Sequence, residues 1–566
     1  MFDKKKETLM NSVTSGKSTM FSDNLFLKAA MMETSKTTAL GNGALKYVTT
    51  GSPFVDQFGK ITQYRELRSY SDIAKDMEEL WSLNPELTLR FTFYIRMITR
   101  QIKLLPTGKT KTVQRGQGLK HESIMRMIWL ATNHPKTFWK NSTFIMTVGS
   151  WHDIFQMLSY DLQYHDWSGR VLDWNKFGDL IKAGLSWETT SDLVKKYLPQ
   201  IKSKSACHTI EAQANMKIAK FLSFYLFPEI ETKEARYKAY RKLKASGNAH
   251  VWQQQISRQE YDEIDFNLIP GRALAKLVNG KFLENHDLEE KYEEWTINRP
   301  ASKYTGYVYE LMAPVKKSWH NQPLKPYQED TINKQFYGLI ETAKKDMNDQ
   351  TSMIVVVDSS GSMTSEVSGT KVSSYDVAKS MALYFSYLLK GPFNKAYFEF
   401  NTTCKLRHWT GDTPVKNLQN DNNVYNGSTN FQSVADTFAN LKKGGLAEEE
   451  FPTGILCISD GCFNYDGSNR TNFESLKAKL RAAGFSETYV NNFKVVLWDI
   501  PNYYYSKPQT AFEGSADTPN LYHMSGLDGS AIAFLMGTKY NEVIPKTSEE
   551  LFLAAMNQEV LDMLEV

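Results

Sequence analysis

Residues 353–363 have the sequence MIVVVDSSGSM, in which five apolar residues run directly into a loop of small, oxygen-bearing ones. The apolar run predicts a buried strand. Asp358, Ser360 and Ser362 follow it as a DxSxS pattern. In an open α/β sheet, the loop at the carboxyl end of a strand faces the crevice where ligands bind, so these three side chains can converge on one point. The stretch therefore predicts a strand that ends in a polar site.

Oxygen ligands in two further loops extend this site. Thr429 lies in Gly-Ser-Thr-Asn-Phe (427–431), ahead of a predicted helix, although capping that helix is an equally ordinary role. Asp460 follows the predicted strand 455–459, where a carboxylate would complete the oxygen shell and balance the charge of a cation. Hydroxyl and carboxylate oxygens suit hard cations. We therefore predict one Mg²⁺, or another divalent cation such as Mn²⁺, held by Asp358, Ser360, Ser362, Thr429 and Asp460.

The region around this motif alternates between short apolar runs and helical segments. The runs cover 353–357, 396–400, 455–458 and 495–498, and the helical segments lie near 372–389, 431–441 and 473–483. This alternation is typical of a parallel sheet with helices on both faces. We therefore predict a C-terminal α/β Rossmann-like domain with a mainly parallel sheet at 348–540, followed by a C-terminal helix within 541–566.

The N-terminal part of the chain has a different pattern. From about residue 70 to residue 285, apolar residues recur three and four apart with few Gly or Pro inside each run, which indicates successive amphipathic helices. We predict an all-α helical repeat (HEAT-like) domain at 66–295, preceded by a partly extended leader at 1–65. Several prolines interrupt residues 296–347, which predicts a linker there. The chain is thus expected to be a multidomain protein.

Length and composition are consistent with this division. A chain of 566 residues exceeds what one hydrophobic core usually supports, and 41% apolar with 23% charged residues is typical of a globular protein. Four cysteines without paired CxxC spacing favour reduced thiols, and hence a cytoplasmic location, over a disulfide framework. The N-terminal sequence has no apolar signal region, and the longest apolar run is far shorter than a membrane span of about 20 residues. We therefore expect no membrane partner.

Net charge divides the chain at about residue 350. Residues 1–350 carry a net charge of +11, and residues 351–566 carry a net charge of −7. A basic surface is what phosphate-rich partners select, whereas an acidic region suits a cation site. The alternative is that the difference reflects ordinary solvated surfaces.

Two basic stretches carry most of the positive charge that could meet RNA. One runs from Arg96 through residues 101–150, and the other covers 202–244, where Tyr225, Tyr237 and Tyr240 could stack on unpaired bases. The alternative is a solvated helix face with aromatic residues in the core. The residues predicted to contact RNA are Arg96, Arg100, Lys103, Lys109, Lys111, Arg115, Lys120, Arg236, Lys238, Arg241 and Lys242.

Catalytic motifs are incomplete in this sequence. A phosphatase of the strand-then-Asp type needs a second Asp two residues on, where this chain has Ser360. The stretch Thr-Gly-Lys-Thr (107–110) resembles the end of a phosphate-binding loop, but Lys103 occupies the position of its first Gly. No GxSxG motif accompanies the histidines. We therefore expect a protein that is not an enzyme and has no small-molecule substrate.

The five predicted metal ligands resemble, in their order, the metal-ion-dependent adhesion site (MIDAS) of von Willebrand factor A domains. The resemblance implies that Ser360, Ser362 and Thr429 bind the cation directly. It also implies that Asp358 and Asp460 often act through water, and that one position stays open for an acidic side chain of a protein partner. It identifies the predicted domain at 348–540 as a von Willebrand A domain.

The chain as a whole resembles the Ro autoantigen (TROVE) proteins and their Ro-like relatives. The residues that carry the resemblance are 42–44, 49–51, Phe58, 100–103, 149–153, 236–242, 358–363, Trp498 and 525–526. The relatives usually have an acidic residue where this chain has Gln101, and a Lys/Thr-rich insertion follows here. The resemblance implies a ring of helical repeats closed by the von Willebrand domain, with RNA bound on a basic surface and in the central hole.

Two functional hypotheses follow. The first is a non-enzymatic, Ro-like RNA-binding protein in which Arg and Lys side chains hold phosphates. The second is a MIDAS-dependent protein–protein interaction or assembly module without RNA, in which the open metal position accepts a partner's Asp or Glu. A steep dependence of RNA affinity on salt would distinguish the first from the second.

Overall fold

The computed structural model divides the described chain into two compact units. A helical unit comprises residues 68–264 and 558–566, and a sheet unit comprises residues 37–61 and 265–557. The structure describes residues 37–39, 45–61, 68–97, 101–113, 115–164, 171–202, 207–247, 250–297, 303–317, 323–346, 352–367, 372–421, 427–461, 463–468, 470–500, 512–526, 535 and 544–566. The predicted leader lies mostly outside these residues.

The strands, in chain order, comprise two short hairpins and one larger sheet. The hairpins are β1 (Thr37–Ala39) with β2 (Leu45–Tyr47), and β3 (Gln101–Lys103) with β4 (Thr110–Thr112). The larger sheet contains β5 (Met353–Asp358), β6 (Ala396–Phe400), β7 (Cys404–His408), β8 (Gly454–Ser459), β9 (Lys494–Asp499) and β10 (Leu521–Ser525). The β3–β4 hairpin belongs to the helical unit, whereas the other strands belong to the sheet unit.

The helical unit is built from amphipathic helices, as the apolar spacing predicts. Its α-helices are Tyr70–Leu83, Pro85–Arg96, Lys120–Asn133, Pro135–Lys140, Ser142–Val148, Trp151–Tyr164, Trp174–Ser186, Ser191–Tyr197, Ile210–Leu226, Lys233–Ala245 and Val251–Arg258. Several begin at a side-chain cap; Ser69, for example, accepts a hydrogen bond from the backbone N–H of Asp72. A helical N-terminal region is confirmed, and its HEAT-like character stays a prediction.

The last residues of the helical unit come from the far end of the sequence. The 3₁₀-helix Glu559–Met563 buries Val560 and Leu561. Asp562 forms an ion pair with Arg90 (Oδ1 to Nη1, 2.8 Å), and the backbone N–H of Glu565 donates to Asn141 Oδ1 at 3.0 Å. This tail therefore completes a unit whose other residues precede it by several hundred positions.

The sheet unit is formed around the larger sheet, whose order is β10-β9-β8-β5-β6-β7. All neighbouring pairs are parallel except β6 with β7, which is antiparallel. Every position of β5 is buried, as expected for a parallel strand covered on both faces. The mainly parallel sheet that the apolar runs predict is therefore confirmed.

Helices of the sheet unit lie before, between and after these strands. They are Pro53–Lys60, Gly271–Asn279, Phe282–Asn285, Glu289–Ile297, Val308–Lys317, Pro326–Asp346, Ser374–Ser386, Pro414–Gln419, Gln432–Lys443, Asn472–Ala482, Glu487–Asn492 and Ser548–Met556. One apolar core includes Ile354, Phe398, Phe438, Ile455 and Val495. None of the helices in the described residues is both long and apolar enough to cross a bilayer.

Three predicted elements have different bounds in the structure. The segment predicted as a linker contains the helices Val308–Lys317 and Pro326–Asp346. The predicted final helix is instead an α-helix, Ser548–Met556, followed by the 3₁₀-helix Glu559–Met563. The apolar spacing of residues 87–102 predicts one helix over that range, whereas the helix in the structure is Pro85–Arg96.

The N-terminal segment of the sheet unit packs against the end of that unit's chain. Helix Pro53–Lys60 contacts β10 and helix Ser548–Met556. The ring of Phe552 lies 5.6 Å from the rings of both Phe54 and Phe58. The Ser525 hydroxyl at the end of β10 donates to the carbonyl of Phe58 at 2.9 Å. This helix is therefore an integral part of the α/β core.

Candidate functional site

The DxSxS loop begins where β5 ends, as the sequence predicts. Asp358 is fully buried, and its carboxylate accepts hydrogen bonds from the Ser360 N–H (2.8 Å) and from the Ser459 hydroxyl (2.5 Å). The hydroxyl oxygens of Ser360 and Ser362 lie 3.2 Å apart. Met363, within the 3₁₀ turn Gly361–Thr364, is fully buried and anchors the turn. The loop thus places a carboxylate and two hydroxyls together.

A second carboxylate lies close to the first. The pKa of Asp358 is raised to about 7, first by burial and then by the negative charge of Asp460, while the hydrogen bonds from Ser459 and Ser360 oppose the rise. Asp460 is itself only 6% exposed. Two neighbouring buried carboxylates repel each other, and a bound cation would relieve this repulsion.

The loop that carries Thr429 is attached to both neighbouring loops by backbone hydrogen bonds. The N–H of Asn430 donates to the carbonyl of Asn401 at 2.8 Å, and the N–H of Asn464 donates to the carbonyl of Thr429 at 2.9 Å. Asn401 follows β6, and its side-chain amide donates to the Ser359 hydroxyl at 3.3 Å. Thr429 therefore belongs to the same group of loops at the carboxyl edge of the sheet.

The structure brings four predicted ligands together, Asp358, Ser360, Ser362 and Asp460, and attaches the Thr429 loop to their neighbours. Two carboxylates and three hydroxyls form a donor set for a hard cation. No group of three or more His, Cys, Asp or Glu side chains suited to a metal occurs among the described residues. A cation here would therefore depend on the hydroxyls as well as on the carboxylates.

Two polar residues at this edge of the sheet are not among the predicted ligands. Ser459 is buried and donates to Asp358 from the end of β8. Asp499 ends β9, pairs in register with Ser459 and is 4% exposed. Both are polar residues at the end of a predicted apolar run, which is the signal that could have identified them.

The first predicted basic stretch is divided between the interior and the surface. Arg96 is only 3% exposed and pairs bidentately with Asp153 (2.9 and 3.0 Å), so it is not part of a surface that RNA could contact. Lys120 is half-buried beside Asp153, and burial lowers its pKa. Lys111 pairs with Glu559 at 2.6 Å, and Arg115 is partly buried. Arg100 lies outside the described residues. Of the predicted residues in this stretch, Lys103 and Lys109 are exposed, and both lie on the β3–β4 hairpin.

The second basic stretch forms an exposed helix face. Helix Lys233–Ala245 carries six basic residues and one acidic residue. Lys238, Arg241 and Lys242 are exposed, and no carboxylate among the described residues pairs with them. Because they are three and four positions apart, they lie on one side of the helix. We call these three residues the basic face.

The aromatic residues near the basic face have mixed accessibility. Tyr240 is fully buried and donates its hydroxyl to the carbonyl of Pro199, so the prediction that it stacks on bases is wrong. Tyr225 donates to Asp179 at 2.6 Å. Phe224 is 41% exposed, and the Arg236 guanidinium lies over its ring at 4.6 Å. An exposed aromatic ring beside a cation is a feature of single-strand binding surfaces.

Two family models match parts of the chain. One is described as Domain of unknown function (DUF7788) and matches residues 352–559, and the other is described as Domain of unknown function (DUF2828) and matches residues 40–170. Each match covers less than half of the chain, and neither description names an activity.

The chain is also similar to two individual proteins. It is 21% identical over 484 residues to the Uncharacterized protein L728 of Acanthamoeba polyphaga mimivirus, over 81% of this chain and 78% of that protein. It is similar to the solved Deinococcus radiodurans RO (RSR) protein at 13% identity and a TM-score of 0.39, over 90% of this chain and 99% of the other.

Proposed function

We propose that this protein is a non-enzymatic, Ro-like RNA-binding protein that holds one divalent cation, Mg²⁺ or Mn²⁺, at a MIDAS-type site. The observation that carries the RNA part is the basic face. Its three cations are exposed, lie on one side of a helix and have no carboxylate partner among the described residues. Elsewhere in the helical unit, cations such as Arg96 and Arg126 are buried in ion pairs.

An unpaired row of cations is suited to the phosphate backbone. Each phosphate that is neutralised releases condensed counterions, which makes affinity depend on salt with a slope of about −0.7 to −0.9 per contact. The exposed Phe224 beside Arg236 adds a surface on which an unpaired base could stack, a contact worth about 1–3 kcal/mol. The basic face would thus contribute affinity, and the aromatic ring a preference for single strands.

The experiment is fluorescence anisotropy with a labelled single-stranded RNA across a salt series. The triple charge reversal Lys238→Glu, Arg241→Glu and Lys242→Glu should reduce the magnitude of the slope of log affinity against log salt by about 2, because about three phosphate contacts are lost. Asp358→Ala should leave RNA affinity unchanged, because the metal site lies in the other unit.

The matched control reverses three exposed lysines on other helices of the same unit, Lys75, Lys136 and Lys182. This variant has the same net charge as the first, but an intact basic face. If both triple variants weaken binding equally, or if the unmodified protein binds no RNA at about 50 mM salt, where phosphate contacts are strong, the RNA proposal is wrong.

The second candidate function is a MIDAS-dependent protein interaction or assembly module. The favouring observation is that the DxSxS turn reaches the surface at Gly361, which is exposed, while Ser362 is partly exposed. A cation bound there would have a coordination position that a partner's carboxylate could reach from the solvent. Capture of a protein partner that requires Mg²⁺ and is lost on Ser360→Ala, without any RNA binding, would favour this function over the first.

A further inference from the structure

A cavity in the sheet unit lies outside the candidate metal site. Its volume is about 360 Å³, and residues of helices Gly271–Asn279 and Val308–Lys317 line it. Cavities of about 300 Å³ or more hold small ligands in proteins. Its polar lining consists of Arg272, Lys276, Asn279, Tyr304, Tyr309 and Glu310.

The charges of the cavity leave one cation available. Arg272 and Lys276 lie four positions apart on one face of their helix. Glu310 takes up part of the positive charge, because its Oε1 lies 2.5 Å from Arg272 Nη2. Lys276 is exposed and has no carboxylate partner among the described residues. The lining therefore suits a ligand with an anionic group, which Lys276 would bind and Arg272 would support.

Asn279, a residue of the cavity lining, has a side-chain acceptor that a donor group of a ligand would satisfy. The Asn279 side-chain oxygen is buried and accepts no hydrogen bond from the described residues. Buried polar atoms are nearly always hydrogen-bonded, so a donor from a bound molecule would satisfy this oxygen. Tyr304 and Tyr309 are 4% and 5% exposed and supply aromatic walls. Burial raises the pKa of Tyr309, which keeps its hydroxyl protonated as a donor.

We propose that this cavity binds a nucleoside monophosphate. The phosphate lies on Lys276 and Arg272, the base packs against the tyrosine rings, and an amino or hydroxyl group donates to Asn279. A simple inorganic anion would leave the aromatic walls and the buried acceptor unused. The sequence predicts no small-molecule substrate, and we propose binding at this cavity without a reaction. This inference goes beyond the proposed RNA binding and does not depend on the basic face.

Isothermal titration calorimetry on the full chain tests the proposal with AMP, adenosine and inorganic phosphate as separate probes. AMP should bind at least about tenfold more tightly than either fragment, because only AMP uses both ends of the cavity. Lys276→Ala and Asn279→Ala should each weaken AMP binding by about tenfold, since each removes one polar contact of the ligand. Absence of AMP binding, or phosphate binding as tight as AMP binding, would overturn the proposal.

The control variant is Lys281→Ala, which removes an exposed lysine five residues beyond Lys276 and outside the cavity lining. It should bind AMP like the unmodified chain. Equal affinities for AMP across the Lys276, Asn279 and Lys281 variants would show that AMP binds elsewhere and would refute the proposal. Thermal unfolding of each variant verifies that it is folded.

Competition distinguishes a free nucleotide from the terminal nucleotide of an RNA. A single-stranded oligonucleotide with a terminal phosphate that displaces AMP identifies an RNA end, and failure to displace AMP identifies a free nucleotide; both outcomes support a nucleoside monophosphate in the cavity. The triple charge reversal of the basic face should lose RNA and retain AMP. The failure of one proposal is therefore distinguishable from the failure of the other.

Discussion

Replacing Asp358 by Asn tests whether two buried carboxylates are placed to hold a cation. Asn keeps the local hydrogen bonds, because its oxygen can accept from the Ser360 N–H and its amide can donate to the Ser459 hydroxyl. The substitution therefore removes one negative charge with little change of shape. We expect the variant to lose binding of Mg²⁺ and to be more stable than the unmodified protein when no metal is present.

The magnitude follows from the pKa of Asp358. Its rise from 3.8 to about 7 makes the charged carboxylate about 4 kcal/mol less favourable in the metal-free folded state than in the unfolded state. The pKa of Asp358 is higher in the folded than in the unfolded state, so the folded state binds the extra proton. The contribution of Asp358 to stability is therefore most favourable below about pH 4 and is lost as the pH rises to about 7. At pH 8, metal-free Asp358→Asn should gain up to about 4 kcal/mol over the unmodified chain.

Protons and the cation compete for the same carboxylate. Affinity for Mg²⁺ should therefore fall about tenfold for each pH unit below 7, which is about thirtyfold at pH 5.5, or about 2 kcal/mol. Calorimetric titration with MgCl₂ between pH 5.5 and pH 8 measures the affinity, and urea unfolding in EDTA measures the metal-free stability. Asp412→Asn, at an exposed aspartate of the same unit, is the control.

Two results would refute this reasoning. The first is an affinity for Mg²⁺ that is the same at pH 5.5 and pH 8, because the carboxylate would then not exchange a proton for the metal. The second is an Asp358→Asn variant that binds Mg²⁺ as tightly as the Asp412→Asn control. Either result would separate the raised pKa of Asp358 from cation binding.

Three substitutions test the packing. Gly116→Ala should destabilise the protein by at least about 2 kcal/mol in urea unfolding, because the new Cβ would lie 1.6 Å from the carbonyl oxygen of Tyr94. A loss of less than about 0.5 kcal/mol would contradict the close packing at this position. Gly338→Ala should instead stabilise the folded protein by about 0.5–1 kcal/mol, because Gly338 lies in a helix and no atom lies within 4 Å of the new Cβ. A loss of stability would contradict this open space. Arg96→Ala should cost about 3–5 kcal/mol, because the buried Asp153 loses its bidentate partner and keeps, among the described residues, only Lys120 as a cationic partner, at 3.8 Å. A change tolerated in thermal unfolding would contradict this.

The central strands were predictable because both of their faces are covered. Every position of β5, β6 and β8 is buried, so each appears in the sequence as a mainly apolar run, interrupted in β6 by Glu399, which is buried in an ion pair with Lys379. β7 has no such signal, because it is an antiparallel edge strand whose residues are mostly half-exposed, with the sequence CKLRH. β3 and β4 pair only with each other and lie in a Lys/Thr-rich segment, so only their mutual pairing defines them.

The candidate site was predictable where it depends on spacing and not where it depends on distant partners. The DxSxS pattern fixes Asp358, Ser360 and Ser362 on one loop because they are close in sequence. Arg96 ends a helix in which positions 87–96 are all buried, and its local sequence does not distinguish it from a surface arginine. Its burial is determined by Asp153, which lies 57 positions later in the first turn of helix Trp151–Tyr164. Only the tertiary fold separates it from the cations of the basic face.

The interleaved path of the chain sets the order in which its two units can be completed during translation. Helix Pro53–Lys60 leaves the ribosome early, but β10 and helix Ser548–Met556, which cover it, are made only after residues 68–264 of the helical unit. The helical unit in turn waits for Val560 and Leu561, which are translated later still. Both nascent units therefore expose apolar surface until nearly the same moment, so we expect a chain cut after residue 557 to engage chaperones through its helices and not through its sheet.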